Sequence, residues 1–238
     1  MIKRIKSKFG SLWKFIPGVV SVSHYNKYGR YDQKKVEKHL TYSSLAKQLV
    51  KAHPNLIKNF LAQKRVLSKP GQKSMFGNMV LENISGEVKG HTATNFYRLL
   101  VDGRAFFIKE IKRGKQGSSF DPRYDSPQVQ IKAAEIAREK IKSIKELENV
   151  EVVKTHLGFS GSDSLFLVTD YHPGYSLDQI KYDKELSKKY PGANKESARL
   201  LNQLESAFAK TRITDFGPQN ILFVPSTGKF VLIDLRLV

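Results

Sequence analysis

The stretch Asp215-Phe-Gly-Pro-Gln-Asn220-Ile-Leu-Phe-Val-Pro-Ser-Thr-Gly-Lys-Phe-Val-Leu-Ile-Asp234-Leu-Arg-Leu-Val238 is the most informative part of this sequence. Asn220 follows Asp215 by five positions, and two apolar, β-prone runs of four residues come after it. The linker Pro225-Ser-Thr-Gly-Lys229 between the runs has the composition of a hairpin loop. The stretch therefore predicts a β-hairpin that delivers Asp234 at a strand end, fourteen residues after Asn220.

Composition limits the classes of protein to which the chain can belong. Its 238 residues, 40% of them hydrophobic, are enough for one good core and a small satellite. The absence of cysteine excludes disulfides, thiolate metal sites and cysteine catalysis. No apolar run approaches the length of a membrane span, and Lys14, Pro17 and Gly18 break the stretch that could resemble a signal-peptide core. We therefore expect a cytoplasmic type of protein without a transmembrane segment.

Positive charge is concentrated at the start of the chain. The net charge is +19, and residues 1–75 hold seventeen Lys and Arg against two acidic residues, a surplus of fifteen. Asp32 could cap a helix that runs to about Ala52, and Pro54 suits the first turn of a second helix. This pattern predicts a small basic helical extension at 1–75, followed by a domain at 76–238.

The middle of the chain has the pattern of an antiparallel sheet. Three strands are predicted, at residues 80–84, 95–101 and 104–111. The loop between the first two contains Gly86, Gly90 and Thr92, and such a loop can lay backbone N–H groups over phosphates, although a generic hairpin loop has the same composition. Lys109 ends an apolar stretch of the third strand. Its position suits a phosphate ligand, and equally an exposed lysine on an edge strand.

Further elements are predicted in the order sheet, turn and helix. Two more strands are predicted at residues 150–157 and 165–168. The second runs into Thr169-Asp170-Tyr171-His172-Pro173-Gly174, where a strand ends and a turn leads into the next element. An amphipathic helix is predicted at 195–210, directly before Asp215.

In this order, the elements of residues 79–238 resemble the protein-kinase-like superfamily. The lysine-bearing strand, the hinge-like turn, the Asp-x-x-x-x-Asn spacing, the hairpin and the final Ile-Asp pair follow one another as in that superfamily. The layout is most similar to the minimal kinases that pathogenic bacteria inject into host cells. The short core is also similar to that of bacterial lipopolysaccharide-sugar kinases. The resemblance implies an α+β, bilobal fold, with an antiparallel N-lobe sheet and one helix at about 76–170 and a reduced helical C-lobe at about 171–238.

The resemblance also implies a role for each motif residue. Asp215 would be the catalytic base and Asn220 and Asp234 the magnesium ligands, so that Asp215-Phe216-Gly217 is not the magnesium triplet that it spells. Lys109 would hold the α- and β-phosphates of ATP. The remaining ATP contacts would come from Gly86, Gly90 and Thr92 over the phosphates, and from the backbone of Asp170, Tyr171 and His172 at the adenine.

The helix that should supply an acidic partner to Lys109 matches least well. Residues 129–147 form an apolar helical stripe, but Glu135 lies nearly opposite that stripe at 100° per residue, and Glu139 has the same fault. Gln130 falls on the apolar face. We therefore expect the partner of Lys109 to be Glu135, with Glu139, Gln130 or no partner as open alternatives.

Two other departures concern regulation. The positions that usually hold histidine and arginine before the catalytic aspartate are Ile213 and Thr214 here, and a lysine usual two residues after it is Gly217. Without that arginine there is no partner for a phosphate on an activation loop, so control by phosphorylation is not expected.

The phosphate acceptor and the partners are less determined by the sequence. The resemblance favours a protein hydroxyl, with a lipopolysaccharide sugar or another small molecule as the alternative, and action within a host cell. A pseudokinase that serves as a binding module is a third reading. The charge surplus of residues 1–75 suggests an acidic protein or an anionic membrane surface as partner, and nucleic acid less so because no recognition motif is present.

Overall fold

The computed structural model describes residues 40–86, 95–112, 127–161 and 164–237. The chain has a mixed α+β architecture with two main layers of packing. Its helices are α1 (Ser44–Ala52), α2 (Leu56–Gln63), α3 (Pro127–Lys142), α4 (Leu177–Tyr182), α5 (Lys184–Lys189) and α6 (Pro191–Phe208). Its strands are β1 (Leu40–Thr41), β2 (Lys73–Phe76), β3 (Met79–Asn83), β4 (Asn95–Val101), β5 (Arg104–Lys112), β6 (Val150–Val152), β7 (Thr155–Ser160), β8 (Ser164–Asp170), β9 (Tyr175–Ser176), β10 (Ile213–Thr214), β11 (Ile221–Val224), β12 (Lys229–Leu232) and β13 (Arg236–Leu237).

The larger sheet is antiparallel throughout and has the strand order β1-β7-β8-β5-β4-β3-β2. The prediction for β4 is confirmed to the residue, and those for β3 and β5 within one residue. Asp102 and Gly103 join β4 to β5, and both have positive φ angles, 49° and 73°. These angles belong to the tight hairpin turn that an Asp-Gly pair favours.

Alternation along β5 gives the sheet two different faces. Phe106 and Ile108 are buried on one face, within the cluster that also holds α1 and α2. Lys109 lies on the opposite face, because successive side chains of a strand point to opposite sides. This second face is the one that turns toward the C-terminal hairpin.

Helices α1 and α2 cover the first face of the sheet. Ala46 of α1 and Phe60 of α2 are buried in one core with Leu81, Tyr97 and Phe166 of the sheet. Strand β1 adds to the sheet edge through β7. The predicted extension, 1–75, is described from residue 40 onward, and that part shares its core with the sheet. Of the fifteen surplus positive charges of residues 1–75, seven lie in residues 40–75. Six of these seven side chains are exposed and that of Lys64 is half-buried, whereas the buried residues of α1 and α2 are apolar.

The second layer contains α3, β6 and the chain from β9 onward. The smaller sheet has the order β6-β12-β11-β9, and its core joins Ala137 of α3 to Leu204 of α6 and Leu232 of β12. The predicted C-terminal hairpin is confirmed, with Val224 opposite Lys229 at its end. Two short strands, β10 and β13, pair with each other in an antiparallel ladder. β10 ends directly before Asp215, and β13 begins two residues after Asp234.

The predicted strand at 150–157 is wrong in one respect. The chain forms β6, which pairs in parallel with β12, and then β7, which pairs with β8 in the other sheet. The alternation of apolar and polar residues breaks at Val152-Val153, where the chain leaves the smaller sheet, but no Gly or Pro marks the change. The predicted helix at 129–147 ends at Lys142 and is followed by a short 3-10 turn, Lys145–Leu147.

The longest helix in the described parts of the chain is α6, with 18 residues. It carries Lys195, Glu196 and Arg199 on exposed or half-buried positions. None of the helices among the described residues combines the length and apolarity that a membrane span requires.

Candidate active site

The candidate site begins with an ion pair between the two layers. The Lys109 Nζ lies 2.5 Å from Asp234 Oδ1, although the two residues are 125 positions apart. Lys109 reaches this position from the middle of the sheet, and its side chain is 8% exposed. Asp234 follows β12 directly, so the hairpin fixes its place. The predicted phosphate ligand and the predicted magnesium ligand therefore meet.

Both aspartates of the site have an unusual backbone conformation. The φ angle is 67° at Asp215 and 54° at Asp234. Among the described residues, the remaining non-glycine residue in this region is Asp102 of the hairpin turn. A left-handed conformation is costly for a side chain with a Cβ and tends to occur where function requires it. The two strained positions here coincide with the two predicted carboxylates.

Asn220 connects the two aspartates. Its Nδ2 donates a hydrogen bond to the Asp215 carbonyl oxygen at 2.8 Å, and its own carbonyl accepts from the Ile233 N–H at 2.9 Å. Ile233 is the residue before Asp234. The segment from Asp215 to Asn220 thus forms a short turn, which the Asn220 side chain closes by its bond to the Asp215 carbonyl. Because the amide nitrogen is engaged, Oδ1 is the atom of Asn220 suited to bind a metal.

Arg236 contacts the predicted catalytic base. Its Nε lies 3.1 Å from Asp215 Oδ2. The reason is local, because β13 pairs with β10 and sets Arg236 opposite Thr214, the residue before Asp215. Sequence reasoning assigned Arg236 no role. The signal available in the sequence was its position two residues after Asp234.

The residues present fit a magnesium ion. The Asp234 carboxylate and the Asn220 amide oxygen are hard ligands of the kind that Mg²⁺ prefers, and Mg²⁺ commonly keeps water and phosphate oxygens as its other ligands. Within residues 40–86, 95–112, 127–161 and 164–237, no group of three His, Cys, Asp or Glu side chains is arranged as a metal centre. A magnesium ion at Asn220 and Asp234 would therefore depend on a phosphate-bearing substrate for the rest of its coordination.

The structure does not bring Glu135 to Lys109. Glu135 is exposed and lies 3.4 Å from Lys132, and Glu139 likewise pairs with Lys142 at 2.9 Å. Both face away from the core because the other side of α3 packs into it, as the helical angle implied. The expected Lys109–Glu135 pair is therefore replaced by Lys109–Asp234. Gln130 is buried, and its Nε2 has no hydrogen-bond partner among the described residues.

The hinge-like segment is only partly open to a ligand. The Asp170 N–H donates to the Lys154 carbonyl at 3.0 Å, so this backbone donor is engaged within the sheet. The predicted adenine contact of the Asp170 backbone stays a prediction. The Tyr171 hydroxyl accepts from Arg98 Nη1 at 3.2 Å. Tyr171 and His172 are both half-buried, and their backbone groups stay candidates for nucleotide contact.

A chain of hydrogen bonds ties the hinge to α1. His156 Nε2 donates to the Asp170 carboxylate at 2.7 Å, and its Nδ1 accepts from the hydroxyl of Ser43 at 2.8 Å. Ser43 is also the N-cap of α1. Burial raises the pKa of Asp170, but the His156 hydrogen bond and charge outweigh it and hold the pKa below its ordinary value.

The predicted phosphate loop is described at one of its three residues. Gly86 is exposed and ends the described segment, and a Cβ there would lie 3.0 Å from Pro70. Gly90 and Thr92 lie outside the described residues. Their predicted role stays a prediction.

Two aromatic residues beside Lys109 were not recognised from the sequence. Phe96 lies directly opposite Lys109 in the β4–β5 register, and Phe107 precedes Lys109 by two residues on the same face. The two rings stack with their centroids 5.6 Å apart. An apolar aromatic surface of this kind, next to the Lys109 ammonium group, suits the planar base of a nucleotide.

Comparison with known proteins gives a limited likeness. No protein-family model and no curated protein matches the chain. Among solved structures, the chain is similar to the BubR1 kinase domain, with a TM-score of 0.40 and 13% sequence identity. The match covers 81% of this chain and 59% of the BubR1 kinase domain. The chain therefore spans less than two thirds of the length of that domain. The BubR1 kinase domain is thus a distant structural neighbour.

Proposed function

We propose that the protein is an ATP- and Mg²⁺-dependent phosphotransferase that moves the γ-phosphoryl group to a hydroxyl, with a protein side chain as the favoured acceptor. The observation that carries the proposal is the 2.5 Å contact of Lys109 with Asp234. It joins a buried cation to a carboxylate beside Asn220 and Asp215. A cation for phosphate, hard metal ligands and a carboxylate for the acceptor hydroxyl are the parts that phosphoryl transfer requires.

Each residue of the site has a separate task. Lys109 would leave Asp234 for the α- and β-phosphates of ATP, and Asn220 Oδ1 and the Asp234 carboxylate would hold Mg²⁺. When bound, Mg²⁺ supplies neutralisation of the charge that develops on the phosphate oxygens. Phe96 and Phe107 would offer their stacked rings to the adenine, together with the backbone of Tyr171 and His172.

Asp215 would act on the acceptor. As the acceptor oxygen bonds to the γ-phosphorus, the proton of the acceptor hydroxyl passes to Asp215. The bond between the γ-phosphorus and the β–γ bridging oxygen breaks, and its electron pair stays on the departing ADP. Arg236 contacts Asp215 Oδ2 and would orient this carboxylate toward the acceptor hydroxyl. Arg236 is in this account a positioning residue, because it acts on the reaction through Asp215.

A pseudokinase is the second candidate. Two observations favour it, namely the outward position of Glu135 and the engagement of the Asp170 N–H with Lys154. In that case the site would bind a nucleotide weakly or not at all and would serve a structural purpose.

One experiment separates these functions. The purified protein is incubated with Mg²⁺ and γ-labelled ATP alone, with a protein lysate, and with a lipid-linked sugar extract, and Asp234→Asn is treated in parallel. Label that appears in protein with the wild type and is lost in the variant supports the proposal. Label in the sugar extract alone changes the acceptor. Absence of transfer to any acceptor, with or without nucleotide binding, refutes the phosphotransferase and selects the pseudokinase.

A further inference from the structure

A cavity separate from the candidate active site lies beside α2. Its volume is about 560 Å³, and its floor is formed by the apolar side chains of Val50, Leu56, Ile57 and Leu61. Helices α1 and α2 cover the sheet face opposite Lys109, so this cavity, here named the α2 groove, opens away from the phosphate site. The groove and the site can therefore be altered independently.

Two cations flank the apolar floor. Lys58 and Arg65 line the groove and are exposed, and Ala62 lies between them. Lys58 lies on α2, and Arg65 lies two residues after the end of that helix, in a turn where its N–H bonds the Ala62 carbonyl at 3.3 Å. At the helical rise of about 1.5 Å per residue, the two positions are about 10 Å apart along the axis. Within the described part of the chain, neither forms an ion pair with an acidic group. No acidic residue occurs anywhere in 40–75, so nothing in that segment offsets their charge.

The charge of the groove selects among its possible occupants. Residues 1–39 carry ten Lys and Arg and two acidic residues, so their own charge opposes docking here. A flat anionic membrane could reach Lys58 and Arg65 but would leave the concave floor in water. A protein segment with an apolar side chain between two carboxylates complements both the apolar floor and the two cations of the groove.

We propose that the α2 groove docks an acidic amphipathic helix of a partner protein. Carboxylates two turns apart on that helix face Lys58 and Arg65, and an apolar side chain between them fills the floor formed by Ile57 and Leu61. This is the helix-in-groove mode of recognition. The groove thereby holds a partner or substrate while the active site on the other side of the sheet remains open.

The test uses the full chain and labelled synthetic peptides. Each peptide is a helix with Glu at positions i and i+7 and with Leu, Phe or Trp at i+3, and each has a scrambled control of equal composition. Fluorescence anisotropy should show saturable binding of at least one patterned peptide, at least tenfold tighter than its scrambled form. Reversal of both groove charges, Lys58→Glu with Arg65→Glu, should weaken that binding by about tenfold or more.

Matched variants separate charge from shape. Lys188→Glu with Lys189→Glu reverses two exposed charges on α5, outside the groove, and should leave peptide binding unchanged. Ala62→Trp fills the groove without a charge change and should weaken binding. Circular dichroism confirms that each variant is folded.

Several results would overturn the proposal. One is equal binding of patterned and scrambled peptides, and another is an equal loss in the groove and α5 variants, since both indicate nonspecific attraction. Binding of phosphatidylserine vesicles or duplex DNA without binding of any peptide assigns the surface to another partner class. Failure of every peptide to bind the folded protein also refutes the proposal.

Discussion

Lys109 and Asp234 form a contact of 2.5 Å that joins the middle of the large sheet to the end of the C-terminal hairpin. The Lys109 side chain is 8% exposed and that of Asp234 23%. The cation is therefore the less hydrated member of the pair. Loss of the aspartate should cost more than loss of the lysine, because a buried charge without a partner is unfavourable.

A double-mutant cycle tests this asymmetry. Asp234→Asn should lower the free energy of unfolding by about 2–3 kcal/mol, and Lys109→Met by about 1 kcal/mol. The double variant should lose less than the sum of the two, which denaturant unfolding can measure. Strictly additive losses would show that the two side chains do not interact in solution.

Arg236 should affect turnover rather than nucleotide affinity. It contacts Asp215, on the acceptor side of the site, and not Lys109. We expect Arg236→Gln to lower kcat about tenfold or more with little change in the KM for ATP, and Arg236→Lys to retain part of the activity. Steady-state kinetics is the measurement. Arg199→Gln, an exposed arginine on α6, serves as the control. A raised KM with an unchanged kcat would instead place Arg236 at the nucleotide.

Glu135 should be dispensable for phosphoryl transfer. Its side chain faces solvent beside Lys132 and is not part of the Lys109 contact. Glu135→Ala should therefore keep the transfer rate within about twofold of the wild type, as for other surface substitutions. The labelled-ATP assay checks this. Loss of activity in this variant would mean that α3 rotates to bring Glu135 inward in the active state.

The buried carboxylate of Glu110 predicts a pH-dependent role for α2. Its side chain is fully buried, and Lys64 of α2 contacts it at 2.6 Å. Burial raises the pKa of Glu110, but hydrogen bonds from Lys64, Asn95 and Ser164 outweigh it and hold the pKa below the ordinary 4.5. The resulting stability is present above about pH 4.5 and is lost as the pH falls through the folded-state pKa.

Lys64→Met should accordingly lower the free energy of unfolding by about 2–3 kcal/mol at pH 7. The difference from the wild type should shrink as the pH falls through the lowered pKa of Glu110, because Glu110 then becomes protonated in both proteins. Denaturant unfolding across a pH series gives the comparison, with Lys58→Met as the exposed control on α2. A difference that is independent of pH would contradict the charge-based explanation.

Ser43 should anchor α1 to the hinge. Its hydroxyl accepts from the Ala46 N–H at 3.0 Å and donates to His156. Ser43→Ala should cost about 1–2 kcal/mol, and Ser44→Ala, at the exposed next position, less than about 0.5 kcal/mol. Thermal or denaturant unfolding distinguishes them. Equal effects of the two substitutions would remove the capping role.

Local rules predicted the parts of the molecule that depend on neighbours in sequence. The hairpin after Asn220 and the Asp102-Gly103 turn follow from turn chemistry and alternation, and both were confirmed. The exposed position of Glu135 also followed from helical geometry, although the expected pairing with Lys109 did not occur. These features need no knowledge of distant contacts.

The contacts between distant segments could not be predicted in the same way. Glu110 looks like an exposed strand residue until Lys64, 46 positions earlier, is placed above it. The charge surplus of residues 1–75 likewise favoured a separate basic extension, so the packing of the apolar faces of α1 and α2 against the large sheet was not predicted. The role of Arg236 depends on the pairing of two strands of two residues each, which are too short to be recognised from sequence.

Calorimetric titration with a non-hydrolysable ATP analogue tests the account most directly, because it does not require the acceptor to be known. The wild type should bind the analogue in the presence of Mg²⁺, and its affinity should fall at least about tenfold when Mg²⁺ is removed. Asp234→Asn should show the same loss with Mg²⁺ present, since the variant lacks the carboxylate that binds the metal. An affinity that changes neither with Mg²⁺ nor with Asp234→Asn would contradict the assignment of this site.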